Sequence, residues 1–235
     1  MEQTSYTSRR GEIEHYFDRT AVQAWARLTS DAPVGRIRAT VRAGRERMRA
    51  TLLDWLPEDL HGARILDAGC GTGAFAVAAA RRGASVLAID LSATLVELAW
   101  QRLAQHLDVF SNGGHIEFRA GDMLSAELGT FDHVVAMDSL IHYETADAVR
   151  ALSAWAPRIT GSMLFTFAPR TPALAAMHAV GRWFPRGDRA PAIEPVAEGA
   201  LRRELAHTLP HWHAARSARV ASGFYTSQAM ELRLA

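Results

Sequence analysis

The sequence predicts an α/β fold, a doubly wound and mostly parallel sheet with a C-terminal antiparallel hairpin and an N-terminal helical section, on three observations. From Arg64 onward, short apolar runs alternate with helical stretches, as parallel strands joined by crossover helices require. The first of these runs opens into the loop "DAGCGTG", with glycine at alternate positions. The last section, "HWHAARSARVASGFYTSQAMELRLA", reads as two strands joined by a turn at Ser222 and Gly223.

Taken in order, residues 1 to about 60 lack a strand signal. They read as helices over "IEHYFDRTAVQAWARLTS" and, after a break near Pro33 to Gly35, over "RIRATVRAGRERMRATLLDWL". We expect 1–60 to form a helical lid or substrate-binding region on a core spanning 61–235. Five strands follow as "RILDAG", "SVLAID", "HIEFRAGD", "FDHVVAMD" and "SMLFTFAP", each apolar over most of its length, as strands covered on both faces are. Between them lie helical "AFAVAAARRG", "SATLVELAWQRLAQHL" and "TADAVRALSAWAP". In the second, Leu95, Leu98, Ala99 and Leu103 share one face and Ser92 is placed to cap the N-terminus. Residues 169–210 carry more proline than a crossover needs and are expected as an insertion covering the mouth of the sheet, where ligands bind.

Composition excludes several functions. The 26 basic residues are all arginine and face 25 acids, a net charge of +1 that is far from the basic excess of nucleic-acid binders. The single cysteine, Cys70, excludes an internal disulfide and a multi-cysteine zinc site, which fits a reducing compartment, with the cytoplasm as the expectation. His207, His211 and His213 do not repeat a metal-binding spacing, so no protein-bound metal is expected. No apolar run reaches the roughly 18 to 20 residues that cross a bilayer, and the polar start "MEQTSYTSRRGEIEHYF" has no signal region. A soluble or membrane-peripheral protein is expected.

The glycine loop points to a ligand. Gly69, Gly71 and Gly73 let backbone approach a nucleotide more closely than a Cβ would permit. Asp90 closes the second strand 19 residues after Gly71, where an acid can accept from both ribose hydroxyls. Gly121, Asp122 and Met123 close the third, where an acid can receive an exocyclic amine and an apolar side chain can lie on a purine. The dinucleotide fingerprint is G-x-G-x-x-G; here the order is D-x-G-x-G-x-G, with Asp67 ahead of the glycines. A carboxylate there repels a pyrophosphate and suits a ligand carrying an ammonium and a sulfonium, namely S-adenosylmethionine.

On "LDAGCGTG", "AID" and "GDM", the stretch from Arg64 to about Ala168 resembles the class I, Rossmann-like methyltransferases. The resemblance implies that Asp67 and the glycine loop meet the methionyl part, Asp90 the ribose and Leu91 one adenine face. It places Asp122 and Met123 at the adenine from the other side, and Asp138, in "AMDSLIHY", along the methyl-transfer crevice. The Tyr-Phe-Asp-x-Thr start, "VRAGR" and "LIHY" together resemble the magnesium protoporphyrin IX methyltransferases of chlorophyll and bacteriochlorophyll synthesis, over nearly the whole chain. That resemblance implies esterification of one propionate of Mg-protoporphyrin IX, with S-adenosylhomocysteine as product, magnesium entering only with the porphyrin, and Tyr16 and His142 as catalytic residues. It leaves room for contact with the magnesium chelatase complex and with the photosynthetic membrane.

A propionate, with a pKa of about 4.3, is already ionised at neutral pH and needs no general base. Catalysis then rests on holding a carboxylate oxygen in line with the methyl and excluding water. His142 either orients the propionate, meets the substrate's magnesium or simply bonds a loop carbonyl; Tyr16, beside Phe17, is either a catalytic contact or a packing aromatic. Arg38, Arg42, Arg45 and Arg49 share a helical face that is either solvated or turned to the crevice, and Arg45 is the candidate for pairing with a substrate carboxylate. The segment "ALAAMHAVGRWF", with Met177, Trp183 and Phe184, is a core helix, a wall for the macrocycle or a membrane contact. Three other functions stay open: a methyltransferase for a quinone precursor or phenol, which would need a base; a non-catalytic donor-binding module; and a nicotinamide oxidoreductase, disfavoured by Asp67 and the glycine spacing.

Overall fold

The computed structural model describes residues 3–16, 18, 35–104, 111–170 and 193–235, with side chains from residue 6 onward. Strands β1 (Arg64–Ala68), β2 (Ser85–Asp90), β3 (His115–Ala120), β4 (Phe131–Ala136), β5 (Ile159–Phe167), β6 (Trp212–Ser222) and β7 (Tyr225–Leu234) form one sheet in the order β3-β2-β1-β4-β5-β7-β6. The first five are parallel; β7 runs antiparallel between β5 and β6. Strand order reverses between β1 and β4, the crevice where open α/β sheets bind ligands.

Side chains alternate cleanly across the sheet. Leu66, Met163 and Phe165 enter one core, with Leu152 and Trp155 of the helix Thr145–Trp155. Ile65, Val135 and Leu164 enter the other, with Met48 and Leu52. Edge strand β3 departs from the expectation of full cover: Ile116 and Phe118 are buried while Glu117 and Arg119 are exposed, because among the described residues helices pack on the Ile116 and Phe118 face alone.

The helices are α1 (Gln3–Tyr16), α2 (Arg36–Asp54), α3 (Ala74–Ala80), α4 (Ala93–Leu103), α5 (Thr145–Trp155) and α6 (Glu198–Thr208). Ser92 caps α4 as expected, its Oγ accepting from Leu95 N at 3.2 Å, a bond whose loss costs about 1 kcal/mol. Leu95, Ala99 and Leu103 of the predicted face are buried and Leu98 is half-buried, with Val96 taking the deeper place. Helix α2 buries Gly44, Met48, Leu52 and Leu53. At Gly44 any Cβ would run into the Tyr225 ring, so a glycine is what lets α2 lie directly on β7.

Helix α1 starts at Gln3, ten residues ahead of "IEHY". Among its described side chains Tyr6 and Ile13 join the core, so hydrophobic periodicity is weak; long-range ion pairs of Arg9 with Glu194 at 3.1 Å and Arg10 with Asp122 at 2.7 Å fix the helix instead. Phe17 and residues 19–34 lie outside the described residues, as do 171–192 with Met177, Trp183 and Phe184. Among the described residues no helix is long and apolar enough to cross a membrane.

Candidate active site

The glycine loop is drawn between the ends of β2 and β4. Gly69 N and Cys70 N donate to Ile89 O at 2.8 and 3.0 Å, and Gly71 N donates to Asp90 Oδ2 at 2.8 Å. The three glycines take φ of +84°, +54° and +77°, a region that side chains make costly, and the Ser139 side chain occupies the space a Cβ on Gly69 would need. The fold thus brings together Asp67, Gly69, Gly71, Gly73 and Asp90.

Asp67 is buried, and its Oδ2 has no hydrogen-bond partner among the described residues. Burial pushes its carboxyl up to about 7, with the nearby Asp90 adding to the effect and the Ala76 N–H opposing it. Ser139 Oγ, against Gly69, is likewise buried without a partner. Leaving such atoms unpaired costs about 1 to 3 kcal/mol each, and a ligand that brings a cation and a donor would recover it. Asp90 accepts from Gly71 N on one oxygen and from Ser92 N, at 3.0 Å, on the other. The Leu91 N–H also faces this carboxylate, and of its roughly four acceptor positions at least one is left for a ribose hydroxyl. Burial raises the Asp90 carboxyl as well. Leu91 is half-buried beside it, and burial, with Asp67 and Asp90 adding to it, drives the Cys70 thiol well up, leaving it a small filler. This donor set fits S-adenosylmethionine: a carboxylate lacking a counter-charge, a backbone without side chains, and an acid with acceptor capacity left for a ribose hydroxyl.

The ends of β3 and β4 differ from the expectation. Asp122 is not left open for an amine alone. Its Oδ1 accepts from Leu124 N at 2.9 Å and Tyr6 Oη at 3.1 Å, and its Oδ2 from Arg10 at 2.7 Å. Met123 has its side chain in the core rather than on an open face, and its carbonyl accepts from Trp155 Nε1 at 3.0 Å. Asp138 sits at φ +55° with its carboxylate filled by the protein itself: Arg45 at 2.5 Å, Tyr225 Oη at 3.1 and 3.2 Å, and Thr166 and Ser227 hydroxyls at 3.3 Å. Arg45, read as a partner for substrate carboxylates, is therefore paired with Asp138, because α2 packs on β6 and β7 and its Arg45 side chain reaches Asp138 beyond the β4 end. Of the other arginines on that face, Arg38 is exposed, while Arg42 and Arg49 are half-buried.

His142 is buried in the single turn Leu140–His142 that follows β4, and Ile141 O accepts from Glu194 N at 2.8 Å. Tyr143 stacks on Tyr6 with ring centroids 5.2 Å apart, tying α1 to the histidine segment. Tyr16 ends α1, half-buried, with its phenol raised by burial. Two residues on, Asp18 accepts from Ser92 Oγ at 2.5 Å and Thr94 N at 3.3 Å, fastening the N-terminal segment beside Asp90. Sequence reasoning missed Tyr6, Arg10, Ser139 and Tyr225; Asp18 had a signal, its place in the Tyr-Phe-Asp-x-Thr start. Among the described residues no three His, Cys, Asp or Glu side chains are grouped to hold a metal ion.

Comparison with known proteins matches residues 136–234 to the magnesium-protoporphyrin IX methyltransferase C-terminus and residues 65–159 to a methyltransferase domain. A magnesium-protoporphyrin O-methyltransferase from Rhodobacter capsulatus is 46% identical over 98% of this chain and 99% of its own. A crystal structure of the magnesium protoporphyrin IX methyltransferase from Synechocystis PCC 6803 with bound S-adenosylhomocysteine superposes with a TM-score of 0.83, at 27% identity, over 96% of this chain and 99% of that one. A ubiquinone biosynthesis O-methyltransferase from Xanthomonas oryzae is 34% identical, but over 55% of each chain.

Proposed function

Since the chain belongs to the magnesium protoporphyrin IX methyltransferase family, we propose that it esterifies one propionate of Mg-protoporphyrin IX, giving the monomethyl ester in (bacterio)chlorophyll synthesis. S-adenosylmethionine, when bound, supplies a methyl on a sulfonium; the oxygen–carbon bond forms as the carbon–sulfur bond breaks, its electrons stay on sulfur, and no proton has to move. The observation that carries this reading on the donor side is the buried Asp67 oxygen without a partner, at the β1 end of a sheet whose switch point is closed by a glycine loop.

Asp67 receives the donor's ammonium, Gly69, Gly71 and Gly73 border the methionyl chain, Asp90 takes the ribose hydroxyls and Leu91 packs on the adenine. Asp122 takes the adenine amine, and Met123 contributes through the backbone beside it. On the acceptor side Tyr16 and His142 orient the propionate. Arg45 acts there by fixing Asp138 and by placing positive charge near the crevice. Residues 1–60 form the substrate-binding lid on the core 61–235, with 169–210 covering the mouth; the bonds of Asp18 to Ser92 and of Arg10 to Asp122 support the first part of that division. Water exclusion and alignment, rather than a base, lower the barrier.

Docking against the photosynthetic membrane and the magnesium chelatase complex belongs to the same reading, since the porphyrin must be handed over. Phe224 and Ile37, 65% and 57% exposed around Thr40, with Arg36 and Arg38 beside Ile37, support a peripheral contact with an anionic surface.

Incubating the full chain with labelled donor and Mg-protoporphyrin IX should give one methyl per porphyrin, with no label on protoporphyrin-free controls. Donor binding without ester would turn the reading toward a non-catalytic module. A phenolic acceptor would need a base, so a rate that rises with pH through a single ionisation abolished by His142→Ala would favour that acceptor instead.

A further inference from the structure

A carboxylate has about four acceptor positions, and at Asp122 three are filled by Leu124 N, Tyr6 Oη and Arg10. Two of the three donors come from α1, more than a hundred residues away in sequence. The filled positions fix the plane of the carboxylate, and the one that remains suits a single N–H. Covering an acid with a bound ligand removes it from water, and an unpaired charge there is costly; the Arg10 guanidinium supplies the counter-charge. Tyr6 is itself held by stacking on Tyr143, and Arg9 of the same helix is anchored on Glu194, so both donors stand on a braced element.

We propose that Arg10 and Tyr6 are positioning residues for donor recognition, setting Asp122 as an acceptor for one 6-amino hydrogen and thereby selecting an adenine over a 6-oxo purine. A 6-oxo group is an acceptor and meets only acceptors at such an acid; an amine fills the open position. Helix α1, which lies in the region expected to serve the porphyrin, therefore also serves the donor. This inference rests on the assignment of Asp122 to the adenine.

The test is calorimetric titration of the full chain with S-adenosylhomocysteine and with its inosine counterpart, in which the 6-amino group is replaced by 6-oxo. The unaltered protein should prefer the adenosyl ligand. Arg10→Ala should weaken the adenosyl ligand about tenfold, the size of one charge-assisted contact, while changing the inosyl ligand little, so that the preference shrinks by the same factor. Arg10→Lys should restore part of it, and Tyr6→Phe should show a smaller loss in the same direction. Equal weakening of both ligands would mean that α1 matters only as structure, and unchanged or tighter adenosyl binding would mean that Arg10 has no part or competes with the adenine; each overturns the proposal. Asp122→Ala separates the two layers. If the preference survives it, the assignment of Asp122 to the adenine is what fails; if it collapses with Asp122→Ala but not with Arg10→Ala, the inference alone fails.

Discussion

Two aspartates at the ends of neighbouring strands, Asp67 on β1 and Asp138 just beyond β4, meet opposite fates. Both side chains are largely removed from water. Asp138 is closed by four side chains of its own protein, from α2, β5 and β7. Asp67 keeps an oxygen with no partner among the described residues. Burial by itself therefore does not mark function. A buried acid saturated by the chain holds shape, and one left unsaturated beside a side-chain-free loop is built to be completed by something else.

The comparison breaks most sharply at Asp138. Asp138→Ala should lose about 3 kcal/mol in urea unfolding, because it strands the Arg45 guanidinium and three hydroxyls together. Asp67→Asn should behave in the reverse way. At pH 8 the ligand-free variant should be no less stable than the parent, whereas its affinity for S-adenosylhomocysteine should fall about a hundredfold, the loss of one desolvated charge pair. If Asp67→Asn unfolds the protein and leaves binding intact, the two acids have been assigned the wrong way round.

That contrast also explains what could be read from the sequence. The strands that end at the crevice, the loop of Gly69, Gly71 and Gly73 and the place of Asp90 were legible because they depend on local signals: apolar runs, glycine where φ is positive, an acid at a strand end. The cap at Ser92 was legible for the same reason. Asp67 and Asp138 look alike in sequence, each an acid after an apolar strand. What separates them is contributed from far away, by Arg45 at a separation of 93 residues and Tyr225 at 87. Arg45 was legible as one of four arginines on a face that was either solvated or turned to the crevice, and its partner Asp138 could not be seen. The part of helix α1 ahead of Ile13 was hidden in the same way, since Tyr6 and Arg10 take their positions from Asp122 and Tyr143 rather than from any periodicity of their own.

A smaller effect sharpens the comparison through pH. The Asp67 carboxyl has an ordinary value near 3.8 and stands at about 7 in the ligand-free fold, so the fold favours the protonated form. Its contribution to stability is then full at low pH and is lost as pH rises through about 7. A ligand ammonium favours the charged form and must displace the proton when one is bound. Donor affinity should therefore rise by about tenfold between pH 6 and 8 and level off above, with proton release visible by calorimetry in buffers of different ionisation enthalpy. Asp67→Asn should flatten that profile. A flat profile in the parent protein would mean that Asp67 is already charged and compensated, and the contrast with Asp138 would disappear.

The finest cut is at Tyr225. Its hydroxyl donates to Asp138, its ring lies under Gly44, and its phenol is raised by burial and by the nearby carboxylate, so it stays a donor at any pH the fold survives. Tyr225→Phe keeps the ring and removes one bond from an acid that retains Arg45, Thr166 and Ser227. Stability should drop by about 1 kcal/mol, and because the ring still supports α2, donor affinity should stay within twofold. Turnover is the informative quantity. Asp138 at φ +55° begins the turn that carries Ser139 and His142, so a loosened carboxylate lets that turn shift while Asp67 and Asp90 stay in place. A fall in kcat with unchanged donor binding would mean that the saturated aspartate governs the acceptor side alone; a parallel loss of donor binding would mean that the two strand ends work as one unit.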